Sequence, residues 1–211
     1  MGQIKIGITG GIGSGKSVVS QILRTLGIPV YDCDAEAKRL TVTDPVIIRQ
    51  LKALIGDDVY LNNDTSRMAN VQCSMFNVQL NKNLLASYLF SSSAHVSEVN
   101  AIIHPCVRED FKRWCGQHAA CPLVAMESAI LFEAKFQDTV DQILMVYAPL
   151  EVRIARAMNR DHATRESVLD RILQQMDDEE KARLSHFVIR NDGDAPLIPQ
   201  VLGFINTLSE K

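Results

Sequence analysis

A glycine-rich segment near the start of the chain has the spacing of a phosphate-binding loop. The segment consists of Gly10, Gly11, Ile12, Gly13, Ser14, Gly15, Lys16 and Ser17. It fits the pattern G-x-x-x-x-G-K-[ST] at every fixed position. Glycines let backbone N–H groups converge on phosphate oxygens, and a following helix directs its positive end at the same anion. Lys16 can reach the β and γ phosphates and the Ser17 hydroxyl can bind Mg²⁺, so the segment predicts a nucleoside triphosphate site.

The alternative is a glycine-rich turn that matches the pattern by chance. A β-rich apolar run at 4–9 precedes the segment, and a run with helical spacing follows it at 17–26. This strand–loop–helix context is the one that a phosphate loop requires. We therefore assign ATP binding to residues 11–18, that is, from Gly11 to Val18. We expect Mg²⁺ to accompany the nucleotide, with Ser17 as its protein ligand.

Two aspartates directly follow the second predicted strand. The sequence there reads Tyr31-Asp32-Cys33-Asp34. Because the carboxyl ends of strands face the ligand crevice of a doubly wound sheet, Asp34 can accept the proton of a hydroxyl that attacks the γ-phosphate. Asp32 can instead position Mg²⁺ or the loop. The alternative is that one of these acids only caps a helix that begins near Ala35; we favour catalysis for Asp34 and have no preference for Asp32.

Three arginines are spaced to share one face of a helix. Arg153, Arg156 and Arg160 stand at i, i+3 and i+7. A basic helical face suits a lid that closes over the triphosphate and neutralises charge in the transition state. The competing interpretation is a solvated surface with helix pairs such as Glu151 with Arg156, and the spacing alone does not decide between them.

The elements that must position these residues alternate between strands and helices. We predict strands at 4–9, 28–31, 122–126, 142–147 and 186–189. We predict helices at 17–26, 40–54, 83–90, 97–114, 149–160 and 164–178, with a last helix ending near Leu208. The pattern is typical of an α/β protein with a five-stranded parallel sheet flanked by helices. Its core is expected at about 1–34, 120–148 and 184–211, with a helical insertion at about 35–119, a loop at 62–67, and a short helical lid at about 149–183.

Composition and charge restrict the possible function. The chain has 211 residues, of which 46% are hydrophobic and 22% charged, and a formal net charge of -3, which argues against a protein built to grip nucleic acid. Its five cysteines form no CxxC pair, so we expect reduced thiols in a cytoplasmic protein and neither a disulfide framework nor a zinc site. We see no leader and no apolar run long enough to span a membrane. An oligomer is possible but nothing in the sequence indicates one.

The class of phosphate-loop protein follows by elimination. The chain has no Asn/Thr-Lys-x-Asp motif for reading guanine, and neither apolar strand at 123–126 or 143–147 ends cleanly in a Walker-B aspartate. Small-molecule kinases remain as the class that suits the size and the inserted helices. A kinase for another nucleotide and a nucleotide-dependent switch protein are the rival interpretations.

Seven segments in chain order resemble dephospho-CoA kinases. They are 8–17, 30–34, 80–82 with Leu85 and 89–90, 103–108, 129–133, the set Arg156, Arg160, Asp161, Arg171 and Gln175, and 188–193. The resemblance implies a P-loop kinase fold and transfer of phosphate from ATP to the ribose 3′-hydroxyl of dephospho-coenzyme A. It implies that Asp34 is the catalytic base, assisted by Lys16 at the phosphates, and that the helical insertion binds the coenzyme.

The same resemblance assigns further residues. His104, Arg108 and Glu133 are expected on the acceptor side, together with Lys82, and Arg156 and Arg160 in the lid. Without the resemblance, the alternative for His104 is a residue that packs in the core or caps a helix. Three positions depart from the family pattern. Lys82 stands where Arg is usual, which weakens a bidentate phosphate contact. Ala129 replaces Pro, and Arg153 replaces a frequent Gln and has no assigned role.

Overall fold

A computed structural model describes residues 2–61 and 78–209 of the chain. Its strands are β1 (Ile4–Thr9), β2 (Val30–Asp32), β3 (Tyr60–Leu61), β4 (Gln79–Leu80), β5 (Leu123–Glu127), β6 (Gln142–Tyr147) and β7 (Phe187–Arg190). Its α-helices are α1 (Lys16–Thr25), α2 (Cys33–Thr43), α3 (Pro45–Ile55), α4 (Lys82–Ser91), α5 (Ser93–Gln117), α6 (Leu150–Asp161), α7 (Arg165–Leu173), α8 (Asp178–Leu184) and α9 (Leu197–Ser209).

Five strands form one parallel sheet in the order β2-β5-β1-β6-β7. The central strand β1 pairs in parallel with β5 on one side and β6 on the other. All five strands therefore end at the same edge, where the predicted phosphate loop also begins. The predicted α/β fold with a five-stranded parallel sheet is confirmed. β1 and β2 are not neighbours, because β5 lies between them.

The chain divides into two compact units. The first consists of Met1–Asp32 and Trp114–Lys211 and contains the parallel sheet; the second is Cys33–Arg113. In its described part, the second unit has four α-helices, with α5 counted up to Arg113, and a two-residue antiparallel pairing of β3 with β4. A helical insertion with one loop and no strand was expected there, so this short antiparallel pairing was not predicted.

The core of the first unit lies where α1 and α9 cover the sheet. Val19 and Leu23 of α1 and Phe204 of α9 pack with Ile6 and Ile8 of β1, and all of them are at most 1% exposed. Strand residues buried on both faces explain the continuous apolar runs, which are typical of parallel sheets covered by helices.

Two predicted helices prove to be interrupted. The helix expected at 40–54 is split between α2 and α3, because the Asp44 side chain accepts hydrogen bonds from the Val46 and Ile47 N–H groups and Pro45 starts the new helix. The helix expected at 164–178 is wrong in its second half, since α7 ends at Leu173. Asp177 then caps the separate helix α8. The loop expected at 62–67 lies outside the described residues.

Among the described residues, no helix combines the length and the apolar character needed to cross a membrane. Cys33, Cys106, Cys115 and Cys121 are free thiols. Burial raises the pKa of the thiols of Cys106 and Cys115, so both resist ionisation.

Truncating Phe204 tests the core described above. Phe204→Ala removes a ring that is 1% exposed, and we expect a loss of about 3–5 kcal/mol in the free energy of unfolding. Ile198→Ala on the same helix is the matched control, because Ile198 is 58% exposed, and it is expected to change stability by less than about 0.5 kcal/mol. Urea titration of both variants measures the difference; equal losses would contradict this position of the core.

Candidate functional site

The phosphate loop connects β1 to α1 at the carboxyl edge of the sheet. Gly13 has φ 77°, a left-handed conformation that favours glycine, and a Cβ on it would collide with the Arg153 carbonyl oxygen. A Cβ on Gly10 would likewise collide with the Val146 carbonyl oxygen. The backbone of the loop therefore lies directly against the end of β6 and the first turn of α6, which fixes its shape.

Within the loop, several polar groups already have partners. The Lys16 ammonium donates to the carbonyl oxygens of Gly10 at 2.9 Å and Gly11 at 3.2 Å, so it lies over the loop. The Ser14 N–H donates to the Gly11 carbonyl oxygen, and the Val18 N–H donates to that of Gly15. Lys16, Ser17 and Val18 all stand in the first turn of α1, where helices present N–H groups to anions, and the N–H of Val18 is bonded within this turn.

Side chains from distant parts of the sequence hold the loop. The Ile12 N–H donates to the Gln175 side-chain oxygen at 3.0 Å, and the Asn191 side-chain N–H donates to the Ser14 carbonyl oxygen at 2.8 Å. Arg156 donates to the Asn191 carbonyl oxygen at 3.0 Å. Arg156, assigned to ATP binding from the sequence, is therefore linked to the loop through Asn191. The sequence analysis did not assign a role in this site to Asn191.

Arg153 also contacts the loop. Its guanidinium forms an ion pair with Asp178 at the start of α8, and the Arg153 side chain is only 6% exposed. A Cβ on Gly11 would collide with the guanidinium, so these two residues are in close contact. Arg153, which stands where the family frequently has Gln, is consequently part of the packing around the phosphate loop.

Two carboxylates end neighbouring strands beside the loop. Asp32 ends β2 and Glu127 ends β5, and the two residues are register partners. Burial raises the pKa of Glu127, the negative charge of Asp32 acts in the same direction, and the positive charge of Lys16 opposes it. The sequence analysis missed Glu127 because the predicted strand stopped at 126; the signal was an apolar run ending in an acid. Oxygen donors from Ser17, Asp32 and Glu127 are of the type that Mg²⁺ prefers, so they fit this ion.

Other arginines of the segment predicted as a lid form surface ion pairs. Arg160 and Arg171 both donate to Asp161, at distances from 2.7 to 3.0 Å, and these hydrogen bonds hold the pKa of Asp161 well below its usual range. Glu151 pairs with Arg165, whereas the competing surface interpretation had paired it with Arg156. The three arginines of the predicted helical face thus differ in exposure: Arg153 is buried, Arg156 is half-buried and Arg160 is exposed.

Glu133 lies in the loop after β5. Its carboxylate accepts a hydrogen bond from the Met176 N–H at 2.8 Å and pairs with the Lys181 ammonium at 3.0 Å. Lys181 is fully buried and also donates to the Ala129 carbonyl oxygen at 2.9 Å. Both ends of the loop after β5 are therefore tied to the segment that contains α8.

In the second unit, Asp34 lines a pocket of about 1050 Å³. α2 begins at Cys33, so Asp34 stands inside its first turn and does not precede the helix as a cap. Lys38, one helical turn further on, lines the same pocket, as does Lys82 at the start of α4. Apolar side chains such as Leu80 and Leu85 complete the lining. The predicted base and the predicted cation Lys82 thus share one cavity with a second lysine that the sequence analysis did not single out.

His104 and Arg108 stand one turn apart on α5. His104 is half-buried in the middle of this helix, so it is not a capping residue. Burial lowers the pKa of its imidazole and the positive charge of Arg108 lowers it further. The imidazole is therefore neutral at pH 7, and it can form hydrogen bonds without carrying charge.

Comparison with known proteins agrees with the geometry. A family model for dephospho-CoA kinase matches residues 4–196. The dephospho-CoA kinase of Bacteroides fragilis is 51% identical over 208 residues, which are 99% of this chain and 94% of that protein. The crystal structure of TT1252 from Thermus thermophilus superposes with a TM-score of 0.81 at 32% identity, covering 99% of this chain and 98% of that one. The dephospho-CoA kinase from Campylobacter jejuni, at 19% identity and a TM-score of 0.63, covers 98% of this chain and 97% of its own and supports the fold.

The family model spans most of the chain, and the Bacteroides relative spans nearly all of it at high identity. The parallel sheet described above agrees with the fold of the dephospho-CoA kinase from Campylobacter jejuni. The protein is a kinase, and the chain belongs to the dephospho-CoA kinase family.

Proposed function

We propose that the protein transfers the terminal phosphate of ATP to the ribose 3′-hydroxyl of dephospho-coenzyme A, giving ADP and coenzyme A. The observation that carries this proposal is the dephospho-CoA kinase match across residues 4–196. The complete phosphate-loop pattern at 10–17 supports ATP as the donor. The reaction is the last, ATP-dependent step of coenzyme A synthesis.

The donor side uses the phosphate loop. Backbone N–H groups of the loop and of the first turn of α1 bind the phosphate oxygens of ATP, and Lys16 moves from the loop carbonyls to the β and γ phosphates. Ser17 would ligate Mg²⁺, and Asp32 and Glu127 would hold its waters; the bound ion would supply positive charge that neutralises the phosphates.

The acceptor side uses the second unit and Asp34. The carboxylate of Asp34 can orient the 3′-hydroxyl and take its proton as the oxygen attacks the γ-phosphorus. Lys82, His104 and Arg108 supply two cations and a neutral hydrogen-bonding group for the rest of the acceptor. The assignment of Glu133 to the acceptor side stays a prediction.

The segment 149–183 is proposed as a lid over the triphosphate. Arg156 and Arg160 would stabilise charge on the transferred phosphoryl group. Arg160 is 61% exposed in its pair with Asp161, and exposed pairs are worth only ~0–1 kcal/mol, so releasing it costs little. The free thiols of the described cysteines suit a reducing, cytoplasmic environment, which we propose as the location.

The pocket in the second unit suggests how the acceptor is aligned along α2. Asp34, Lys38 and Thr41 line the pocket at successive turns of this helix, each turn advancing by ~5.4 Å. Dephospho-coenzyme A presents its groups in a matching order: the 3′-hydroxyl, then the 5′-diphosphate, then the neutral pantetheine arm. We propose that Lys38 contacts the diphosphate while Asp34 contacts the hydroxyl.

An acceptor comparison tests the function. ADP release from Mg-ATP is measured alone and with dephospho-coenzyme A, adenosine or AMP. We expect stimulation by dephospho-coenzyme A and coenzyme A as the product. Stimulation by a control acceptor alone would favour a kinase for another nucleotide. Slow hydrolysis that no acceptor stimulates, in protein that binds ATP, would favour a nucleotide-dependent switch.

Asp34→Asn tests the catalytic base. The amide keeps the size of the side chain but cannot accept the proton, so we expect kcat to fall by about 10²-fold or more, while the Kd for Mg-ATP stays unchanged. Asp57→Asn is the control, because Asp57 is 89% exposed on the same unit. Normal kcat in Asp34→Asn would remove this residue from the role.

Lys38→Met tests the alignment of the acceptor. It should raise the KM for dephospho-coenzyme A by roughly 10-fold, a change of about 1.4 kcal/mol, because a charge-assisted contact to the diphosphate is lost. It should leave kcat/KM for adenosine, which has no diphosphate, at its low wild-type value. Lys112→Met, at a 60% exposed lysine of the same unit, is the control. An equal effect on both acceptors would contradict a diphosphate contact.

A further inference from the structure

Two opposite charges are buried together against the phosphate loop. Arg153 of α6 and Asp178 of α8 form an ion pair, and their side chains are 6% and 17% exposed. A Cβ built on Gly11 would collide with the Arg153 guanidinium and would lie 3.1 Å from an oxygen of Asp178. Both charged groups therefore face the same residue of the loop.

The carboxylate of Asp178 is placed unfavourably for a triphosphate site. Asp178 is near enough to Lys16 to feel its charge, and Lys16 is the proposed partner of the β and γ phosphates. Burial raises the pKa of Asp178, and the positive charges of Arg153, Lys181 and Lys16 oppose this rise. A buried anion so close to the loop would repel the phosphates strongly, because screening by water is weak there.

Arg153 is the cation in direct contact with Asp178. The buried Lys181 is held by the Glu133 carboxylate at 3.0 Å and the Ala129 carbonyl oxygen at 2.9 Å. In contrast, Nε of Arg153 has no hydrogen-bond partner among the described residues, although it is buried. The guanidinium is thus oriented chiefly by its pair with Asp178 and by its packing on Gly11.

We propose that Arg153 is a positioning residue for nucleotide binding. Its charge cancels that of Asp178 beside Gly11 of the phosphate loop. The inference rests on the proposed function, since it requires ATP to bind at this loop. It differs from a simple packing role in one respect. If the Arg153 charge is removed, ATP binding weakens because the charge of Asp178 is left without a partner. Removing the Asp178 charge as well must therefore restore ATP binding.

A double-mutant cycle tests the inference. The Kd for Mg-ATP is measured by calorimetry for the wild type, R153Q, D178N and R153Q/D178N. R153Q leaves a buried anion beside the loop and should weaken binding by roughly 10-fold. R153Q/D178N should return the Kd to within about threefold of the wild-type value. A double variant as weak as R153Q, or an R153Q that binds like the wild type, would overturn the inference.

Further variants separate charge from packing. D178N leaves Arg153 without its counter-ion and is expected to tighten ATP binding; weaker binding would contradict the inference even if the double variant does not fold. R153K keeps the charge and should weaken binding less than R153Q does. R113Q breaks another arginine–aspartate pair, with an arginine that is 68% exposed, and should leave the Kd unchanged. A wild type that does not bind ATP would instead refute the proposed function.

Discussion

The parallel pairing of β1 with both β5 and β6 is the constraint on which the rest of the site depends. Because these strands run in one direction, the residues that follow them meet at one edge of the sheet. The loop after β1, the carboxylate Glu127 at the end of β5 and the first turn of α6 after β6 are neighbours for this reason alone. Moving any one strand out of register would separate the loop from its acids or from Arg153.

Close packing at this edge explains why the loop needs glycine for more than anion binding. Carbonyl oxygens of Val146 and Arg153 occupy the space that Cβ atoms on Gly10 and Gly13 would fill. The shape of the loop therefore depends on its contacts with neighbouring elements such as α6 and on the backbone conformations that its glycines allow. Gln175 and Asn191 then use their side chains to hold the backbone groups of Ile12 and Ser14. These contacts hold the loop in one shape.

Much of this arrangement follows from local patterns in the sequence. The apolar runs give β1 and β6 with their observed bounds, and the glycine spacing gives the phosphate loop. The sequence could not give the contacts of Gln175 and Asn191, which lie 163 and 177 residues from their partners, because periodicity describes only neighbours along the chain. The break before α8 was missed for a similar reason: its capping aspartate, Asp177, reads equally well as a polar residue on a helix surface. The role of Arg153 depends on burial, which its charged surroundings in the sequence do not reveal.

The segment from Gln175 to Lys181 connects three parts of the first unit. It contacts the phosphate loop through Ile12, α6 through Arg153, and the loop after β5 through Glu133. Two of these three links are ion pairs between groups that are mostly buried, and breaking one partner of such a pair exposes the other to a poorly solvated environment. A displacement of this segment would therefore disturb all three parts together. Since the segment belongs to the proposed lid, a movement of the lid would also move the contacts that the segment makes with Ile12 and with Arg153.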